Sequence, residues 1–415
     1  MIVLAGADLV LPDRVIAHGT ITLDAGRITR VSDAAHTASG PVVDCHGHTI
    51  VPGFIDAHVH GVDGIDTLDD GETVARIAEA MPRYGVTAFC PTTVACGPEE
   101  LRRVLEQVRV ARASGASGSA RVLGAHLESN FISAEYCGAQ PATCIRTWMP
   151  SNIAVSSDSP VATQQAAFTT EELRDVIDTF LADIATVTLA PETSGGMELI
   201  TWLVQRGIRV SLGHSAADDA VTLEAIAHGA CQVTHLFNAM RPMHHRRPGL
   251  AGIALGRPEL ATEVICDGVH VHPAMVRLAL AAKGASRMLA VSDATAAAGL
   301  SVGETARLGG REIRATDHCA QLADGTMAGS TTTLDRAFYR LTREMHVSMI
   351  DAAQLCATTP ARELGLHDRG VLADGAVADL AVFDADGQLV QTYIAGTLVY
   401  RRVARHGNSP RTTSV

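Results

Sequence analysis

The side chains with chemistry to offer in this chain are histidines and carboxylates, and they recur at the ends of short apolar runs. Asp56-Ala-His58-Val-His60 closes the first run. Side chains alternate along a strand, so His58 and His60 project from one face two residues apart, a spacing that suits a single metal ion. Glu128, His214, His235, Asp267-Gly-Val-His270 and Asp293 close later runs. Neutral imidazoles and carboxylates are ligands for divalent zinc, iron or manganese without singling out one of them, and the set is rich enough for two ions. Any one of these histidines by itself reads as an ordinary hydrogen-bonded residue. Together they read differently, because so many polar groups at one end of a sheet would be costly to bury unless they met a cation or each other.

Such groups need a scaffold that gathers strand ends. Eight apolar runs (residues 53–60, 86–93, 121–128, 186–192, 208–214, 231–235, 262–270 and 287–293) alternate with longer stretches of helical period such as 99–113, 170–183, 216–228 and 273–283. This βαβα texture predicts an α/β protein, a closed (β/α)8 TIM-like barrel with its active site at the C-terminal strand ends. The first fifty residues carry short β-rich runs between Gly, Asp and Pro turns, and the same texture returns at 379–384 and 391–400. The expected organisation is a small β-sandwich domain formed by residues 1–52 and 359–403 and a barrel over 53–358. A polar, disordered tail is expected over 404–415.

Composition removes several function classes. With 415 residues, 47% of them hydrophobic, the chain can form one barrel-sized core plus a smaller module. A net charge of −12 with scattered basic residues speaks against nucleic acid or an anionic membrane as partner, so a small molecule is expected. Nine singly spaced cysteines, an odd number without a C-x-x-C pair, fit neither a disulfide framework nor a zinc ribbon. With no secretory leader and no bilayer-length apolar run, a cytoplasmic protein is expected. The chain has one lysine, Lys283, late in a predicted helix, so a carboxylated lysine cannot bridge two ions; Glu128 is the candidate bridge. No H-E-x-x-H helix, Walker loop, strand-borne G-x-G-x-x-G or nucleophile elbow is present. Cys90, Cys96, Cys137 and Cys266 read as inert small hydrophobes. His126, two residues before Glu128, reads as a supporting residue, and His46 and His48 repeat the His-x-His spacing inside a turn.

The segment Pro52-Gly-Phe-Ile-Asp-Ala-His-Val-His-Gly61 resembles the first metal motif of the amidohydrolase superfamily. His126-Leu-Glu128, Thr188-Leu-Ala-Pro-Glu192, Gly213-His-Ser215, Thr234-His-Leu-Phe-Asn-Ala-Met240, Arg247-Pro-Gly-Leu-Ala-Gly252, Asp267-Gly-Val-His-Val271, Ser292-Asp-Ala-Thr295 and Met327-Ala-Gly-Ser330 follow in order. Over nearly the whole chain this is similar to the N-acetylglucosamine-6-phosphate deacetylases. The resemblance implies an enzyme of amino-sugar metabolism that removes acetate from N-acetyl-D-glucosamine 6-phosphate, as a homodimer. It implies one or two divalent metals per subunit, with zinc first and iron or manganese as alternatives. Glu128, His214 and His235 would hold one ion; His58 and His60, with Glu128 bridging, a second. Asp293 would touch the metal and act as general base. Asn238, Ala239 and Arg246 would lie near the substrate phosphate, and His270 near the sugar or acetyl carbonyl. The simpler reading of Arg246 and Arg247 is a solvated basic turn.

The chain also departs from that family. Ser129-Asn130 stands where Gly-Pro usually follows the bridging glutamate. Gln140, taken as substrate-binding, stands where a histidine is common, in a long Ser-, Pro- and Thr-rich segment, 139–169, expected to overhang the barrel mouth as a lid. These departures keep a related N-acyl amino sugar in play, the galactosamine epimer or a specialised biosynthetic intermediate. A cyclic amidohydrolase or deaminase and a silent binding barrel are the remaining alternatives.

Overall fold

The computed structural model describes residues 1–33, 40–115, 118–148 and 168–402. The tail at 404–415 and residues 149–167 of the expected lid lie outside the described residues.

Eight parallel strands form a nearly closed barrel. They are β1 (Phe54–Val59), β2 (Val86–Thr93), β3 (Ala125–Glu128), β4 (Ile184–Leu189), β5 (Arg209–Leu212), β6 (Gln232–Val233), β7 (Ala261–Ile265) and β8 (Met288–Val291). Each pairs with the next in parallel register from β1 to β8. The ring closes through a parallel bridge between Val59 and Ala294, with the Asp293 amide donating to the His58 carbonyl at 3.0 Å. All eight runs expected from the sequence are present.

Local sequence explains the covering helices. In α1 (Pro98–Ser114), Pro98 opens the first turn beside Glu99 and Glu100, Arg112 lies in the last turn, and Gly115 ends it at φ 52°. Its buried face, Leu101, Val104, Leu105 and Val108, follows the helical repeat. α2 (Thr170–Thr179) begins with a capping box between Thr169 and Glu172. α3 (Pro273–Lys283) is capped by the His272 side chain.

Boundaries differ from expectation in two ways, the first for a steric reason. The run 121–128 is broken after Val122, where a side chain at Gly124 would sit 2.7 Å from the Ala185 amide, so the chain narrows to glycine as it crosses its neighbour. The runs containing His214, His235, Asp267 and Asp293 end at Leu212, Val233, Ile265 and Val291, placing each polar residue two positions beyond its strand.

The chain ends share one eight-stranded sheet. Leu380–Phe383 pairs antiparallel with Thr49–Pro52, which runs parallel to Ile2–Val10. This sheet has its own core, including Leu4, Leu9, Ile21, Ile28, Ile50 and Tyr393. A three-stranded antiparallel sheet (Thr305–Leu308, Arg311–Ala315, Ala320–Gln321), which the sequence reading did not anticipate, follows β8. Leu308 and Met327 bring this insertion to the barrel mouth.

Candidate metal centre

His58 and His60 from the end of β1, Glu128 from β3, His214 after β5, His235 after β6 and Asp293 after β8 converge on one point. His214 Nε2 and His235 Nε2 lie 3.1 and 3.0 Å from Glu128 Oε1, and 3.1 Å from each other. On the other side of the same carboxylate, His60 Nε2 is 3.4 Å from Glu128 Oε2 and 3.2 Å from His58 Nε2. Asp293 Oδ1 lies 3.4 Å from His58 Nε2 and 3.3 Å from His60 Nε2. Two ligand triads therefore share Glu128: Glu128, His214 and His235, and His58, His60 and Glu128. All are buried.

Tautomers test whether these residues fit a cation. His214 Nδ1 faces the Tyr136 carbonyl at 2.7 Å, and His58 Nδ1 faces the Glu263 carboxylate at 3.0 Å. Both partners are acceptors, so in the neutral rings the proton sits on Nδ1 and the Nε2 lone pair points into the centre. There it meets carboxylate oxygens and further imidazole nitrogens, which repel it unless a positive charge lies between them. Protonation answers the same demand. Burial opposes charge on His60, yet hydrogen bonds to Asp293 and Glu128 raise its pKa to about 10. His235 likewise rises to about 9 against its burial, through Glu128. Burial would raise the Asp293 carboxyl, but the charges of His58 and His60 hold it at about 2. The centre calls for cationic charge, and its donor set is one that divalent zinc, iron or manganese accepts.

Supporting contacts are specific. Gln140 accepts from the Ala95 amide at 2.7 Å and donates to Glu128 Oε2, so the departure at this position touches the bridging carboxylate itself. His126 bonds Thr188 Oγ1 at 2.7 Å and the Ala57 carbonyl at 3.2 Å, and burial lowers its pKa to about 4. Its hydrogen bonds and neutral ring are what a supporting residue would show. Ser129 and Asn130 are buried in loop packing, Asn130 donating to the carbonyls of Cys96 and Cys144. Ser330, at the end of the Met327-Ala-Gly-Ser330 motif, donates its amide to the Asp293 carbonyl at 2.8 Å, strapping the loop that holds the carboxylate. Lys283 bonds the carbonyls of Ala254 and Arg257, away from the centre. Burial raises the thiols of Cys90, Cys96 and Cys266, as inert core residues require.

A cleft of about 350 Å³ opens over the centre, lined by His60, Glu128, His214, His235 and Asp293 and by Gln140, Asn238, Ala239 and His270. Asp267 holds His270 Nδ1 at 2.6 Å; burial would lower the pKa of that imidazole, and Asp267 raises it instead. Arg246 and Arg247 are exposed and do not line this cleft. A larger groove of about 660 Å³ between α1 and the terminal sheet contains none of these residues, so size alone does not mark the chemistry. The sequence reading missed Glu263, which is fully buried beneath His58. Its signal was an acidic residue between Ala261 and Ile265, sharing their face in a strand otherwise apolar on that side.

Fold and centre together define a metal-dependent hydrolase barrel, and the Amidohydrolase family matches residues 49–400; the chain belongs to that family. Its relatives narrow the likeness. It is 33% identical to an N-acetylglucosamine-6-phosphate deacetylase of Bacillus subtilis (strain 168) over 398 residues, covering 94% of this chain and 95% of that one. It is 37% identical to one of Homo sapiens over 371 residues, covering 86% and 85%. Among solved structures, it is similar to a Mycobacterium smegmatis N-acetyl-D-glucosamine-6-phosphate deacetylase mutant in complex with N-acetyl-D-glucosamine-6-phosphate. That structure has a TM-score of 0.84 and 31% identity, covering 96% of this chain and 99% of that one. No helix among the described residues is long and apolar enough to cross a membrane.

Proposed function

We propose that this chain is an N-acetyl-D-glucosamine-6-phosphate deacetylase, releasing acetate and glucosamine 6-phosphate. The observation that carries the reading is the pair of ligand triads sharing Glu128 beneath a cleft that contains Asp293 and His270. Relatives of that name, similar over most of the chain, support it. Glu128, His214 and His235 would hold one ion, and His58 and His60 with Glu128 a second, zinc being the first choice. Such an ion, when bound, lowers the pKa of a water toward neutrality and polarises an amide carbonyl.

Asp293 is ionised, and it can take the proton of the attacking water and return it to the departing amine. His270, oriented by Asp267, would hold the acetyl carbonyl or a sugar hydroxyl. Asn238 and Ala239 line the cleft and offer polar contacts for the far end of the substrate. Arg246, on the loop after β6, is the proposed fork for the phosphate, so that remote binding energy aligns the amide. Gln140 would act through the Glu128 oxygen it bonds as well as at the cleft wall. A homodimer in the cytoplasm is part of the proposal, as are a barrel unit of residues 53–358 and a β unit of 1–52 with 359–403.

A second reading, a deacetylase of the galactosamine epimer or another N-acyl amino sugar, is favoured by Ser129-Asn130, which tie the loop after β3 to the Thr188 carbonyl and, through Asn130 and Cys144, to the segment bearing Gln140. Metal-replete protein should be incubated with N-acetylglucosamine 6-phosphate, its galactosamine epimer and the unphosphorylated sugar while amine and acetate are followed. Cleavage of the glucosamine phosphate alone fits the first reading. Preference for the epimer supports the second, and ammonia without acetate overturns both.

A further inference from the structure

We infer that Glu263 is the positioning residue for the second ion position, holding His58 as a ligand and thereby deciding whether the centre takes one ion or two. The inference rests on the metal centre of the proposed function but not on the identity of the sugar. Glu263 lies in the middle of β7, on the face of Ala261 and Ile265, and is 0% exposed. A carboxylate in that position is costly to bury unless each oxygen is satisfied. Here each is. Oε2 accepts from His58 Nδ1 at 3.0 Å and from the His235 backbone amide at 3.3 Å, and Oε1 accepts from Gln232 Nε2 at 2.7 Å.

The contact with His58 differs in kind from the other two. Of the four imidazoles that face the centre, His60 and His235 have no hydrogen-bond partner at Nδ1. His214 is held by the Tyr136 carbonyl and His58 by Glu263. Each triad thus has one imidazole anchored behind the ring and one that is not. For the triad of His58, His60 and Glu128, the anchor is a buried formal charge on a barrel strand. It fixes the tautomer with Nε2 toward the centre and strengthens that nitrogen as a donor. Without it, no ring nitrogen of His58 or His60 would have a partner behind the ring, and Nδ1-protonated His58 would lose its reason to face inward. The same Oε2 also takes the His235 amide, so one oxygen ties the β1 end of the centre to its β6 end.

The test is metal stoichiometry and affinity in the full chain, with zinc as the probe, for the parent, Glu263→Gln, His58→Asn and the double variant. Glutamine keeps the shape of the side chain and its bond to the His235 amide while removing the charge. The expected result is about two zinc ions in the parent. In Glu263→Gln the second ion should bind about 10–100-fold more weakly with the first unchanged. In the His58→Asn background the same change should have no further effect on metal binding, because Glu263 acts through His58. Retention of both ions at parental affinity in Glu263→Gln overturns the inference. So does equal weakening of both ions, which would mark a purely structural role, or a parent that binds one ion only. None of these readouts depends on turnover, so a chain that deacetylates some other sugar leaves the inference standing on its own measurements.

Discussion

Metal binding to this centre should be proton-linked, with a slope that follows from two imidazoles. In the metal-free protein His235 ionises at about 9 and His60 at about 10, each held there by carboxylates against its burial. Both therefore carry a proton at pH 7.5, and one belongs to each ligand triad. An imidazole must shed that proton before it can ligate. Each ion then displaces at least one proton, and its apparent affinity rises about tenfold per pH unit, or about 1.4 kcal/mol, up to the pKa of the imidazole displaced. Between pH 6.5 and 8.5 the gain is about 100-fold per ion. Competition with a chromophoric chelator across that range gives the slope, and calorimetry in two buffers of different protonation enthalpy counts the protons. Stability of the metal-free protein should move the opposite way. A raised folded-state pKa adds stability that is complete below the unfolded value of about 6.5 and is lost as pH climbs through 9 to 10. Its melting temperature should fall over that span while the loaded protein gains. Zinc affinity that is flat from pH 6.5 to 8.5 would refute the reasoning, because it would mean that His60 and His235 are neutral before the metal arrives.

Other outcomes are as specific. Asp293→Asn should keep the ion at Glu128, His214 and His235 but lose about 10²–10⁴ in kcat, and parental turnover in this variant would remove Asp293 as general base. Arg246→Ala should raise KM for the phosphorylated sugar by about 10–100-fold while leaving the unphosphorylated compound unaffected; equal effects on both would take the phosphate role away. Thr188→Val removes the hydroxyl that bonds both His126 Nε2 and Thr234 Oγ1 at 2.7 Å, leaving a buried imidazole nitrogen without its partner. Denaturant unfolding should show a loss of about 1–3 kcal/mol, and an unchanged midpoint would mean that His126 Nε2 finds another donor.

Much of the architecture was legible because the barrel repeats one simple pattern. Val86 to Thr93 reads as a strand and is one, and the helix beginning at Pro273 runs to Lys283 as its apolar period requires. The six convergent side chains were legible because a His, Asp or Glu after an apolar run is conspicuous. Glu263 was not, since one acidic residue inside a strand carries no spacing signal of its own and its partner His58 lies 205 residues away in sequence. The three-stranded insertion after β8 was hidden for another reason: its strands are short, and Thr305–Leu308 and Arg311–Ala315 mix charged and apolar residues without an apolar face long enough to stand out. Arg246 marks the limit in the other direction, because a basic turn reads identically whether it grips a ligand or faces water.

The most instructive difference is the two-residue offset of the ligands from their strands. His214, His235 and Asp293 adopt positive φ angles of 46°, 31° and 47°, a region that non-glycine residues enter at a cost of about 1–3 kcal/mol each. A strand residue at the same height would point squarely into or out of the barrel, whereas the left-handed turn swings the side chain from the strand end across the mouth. Three separate loops make the same turn, and each delivers one group to the space around Glu128, which by contrast sits on its strand in regular conformation. The strain is sustained because the surroundings hold each turn in place: the Ser330 amide on the Asp293 carbonyl, the Ser133 amide on the His214 carbonyl, and the Asn238 amide on the His235 carbonyl. Relaxing any one of them would return a ligand toward its strand and open the centre. The bridging carboxylate is thus the fixed point of the site, and the remaining ligands are brought to it by backbone turns that the sequence, read as strand endings, does not announce.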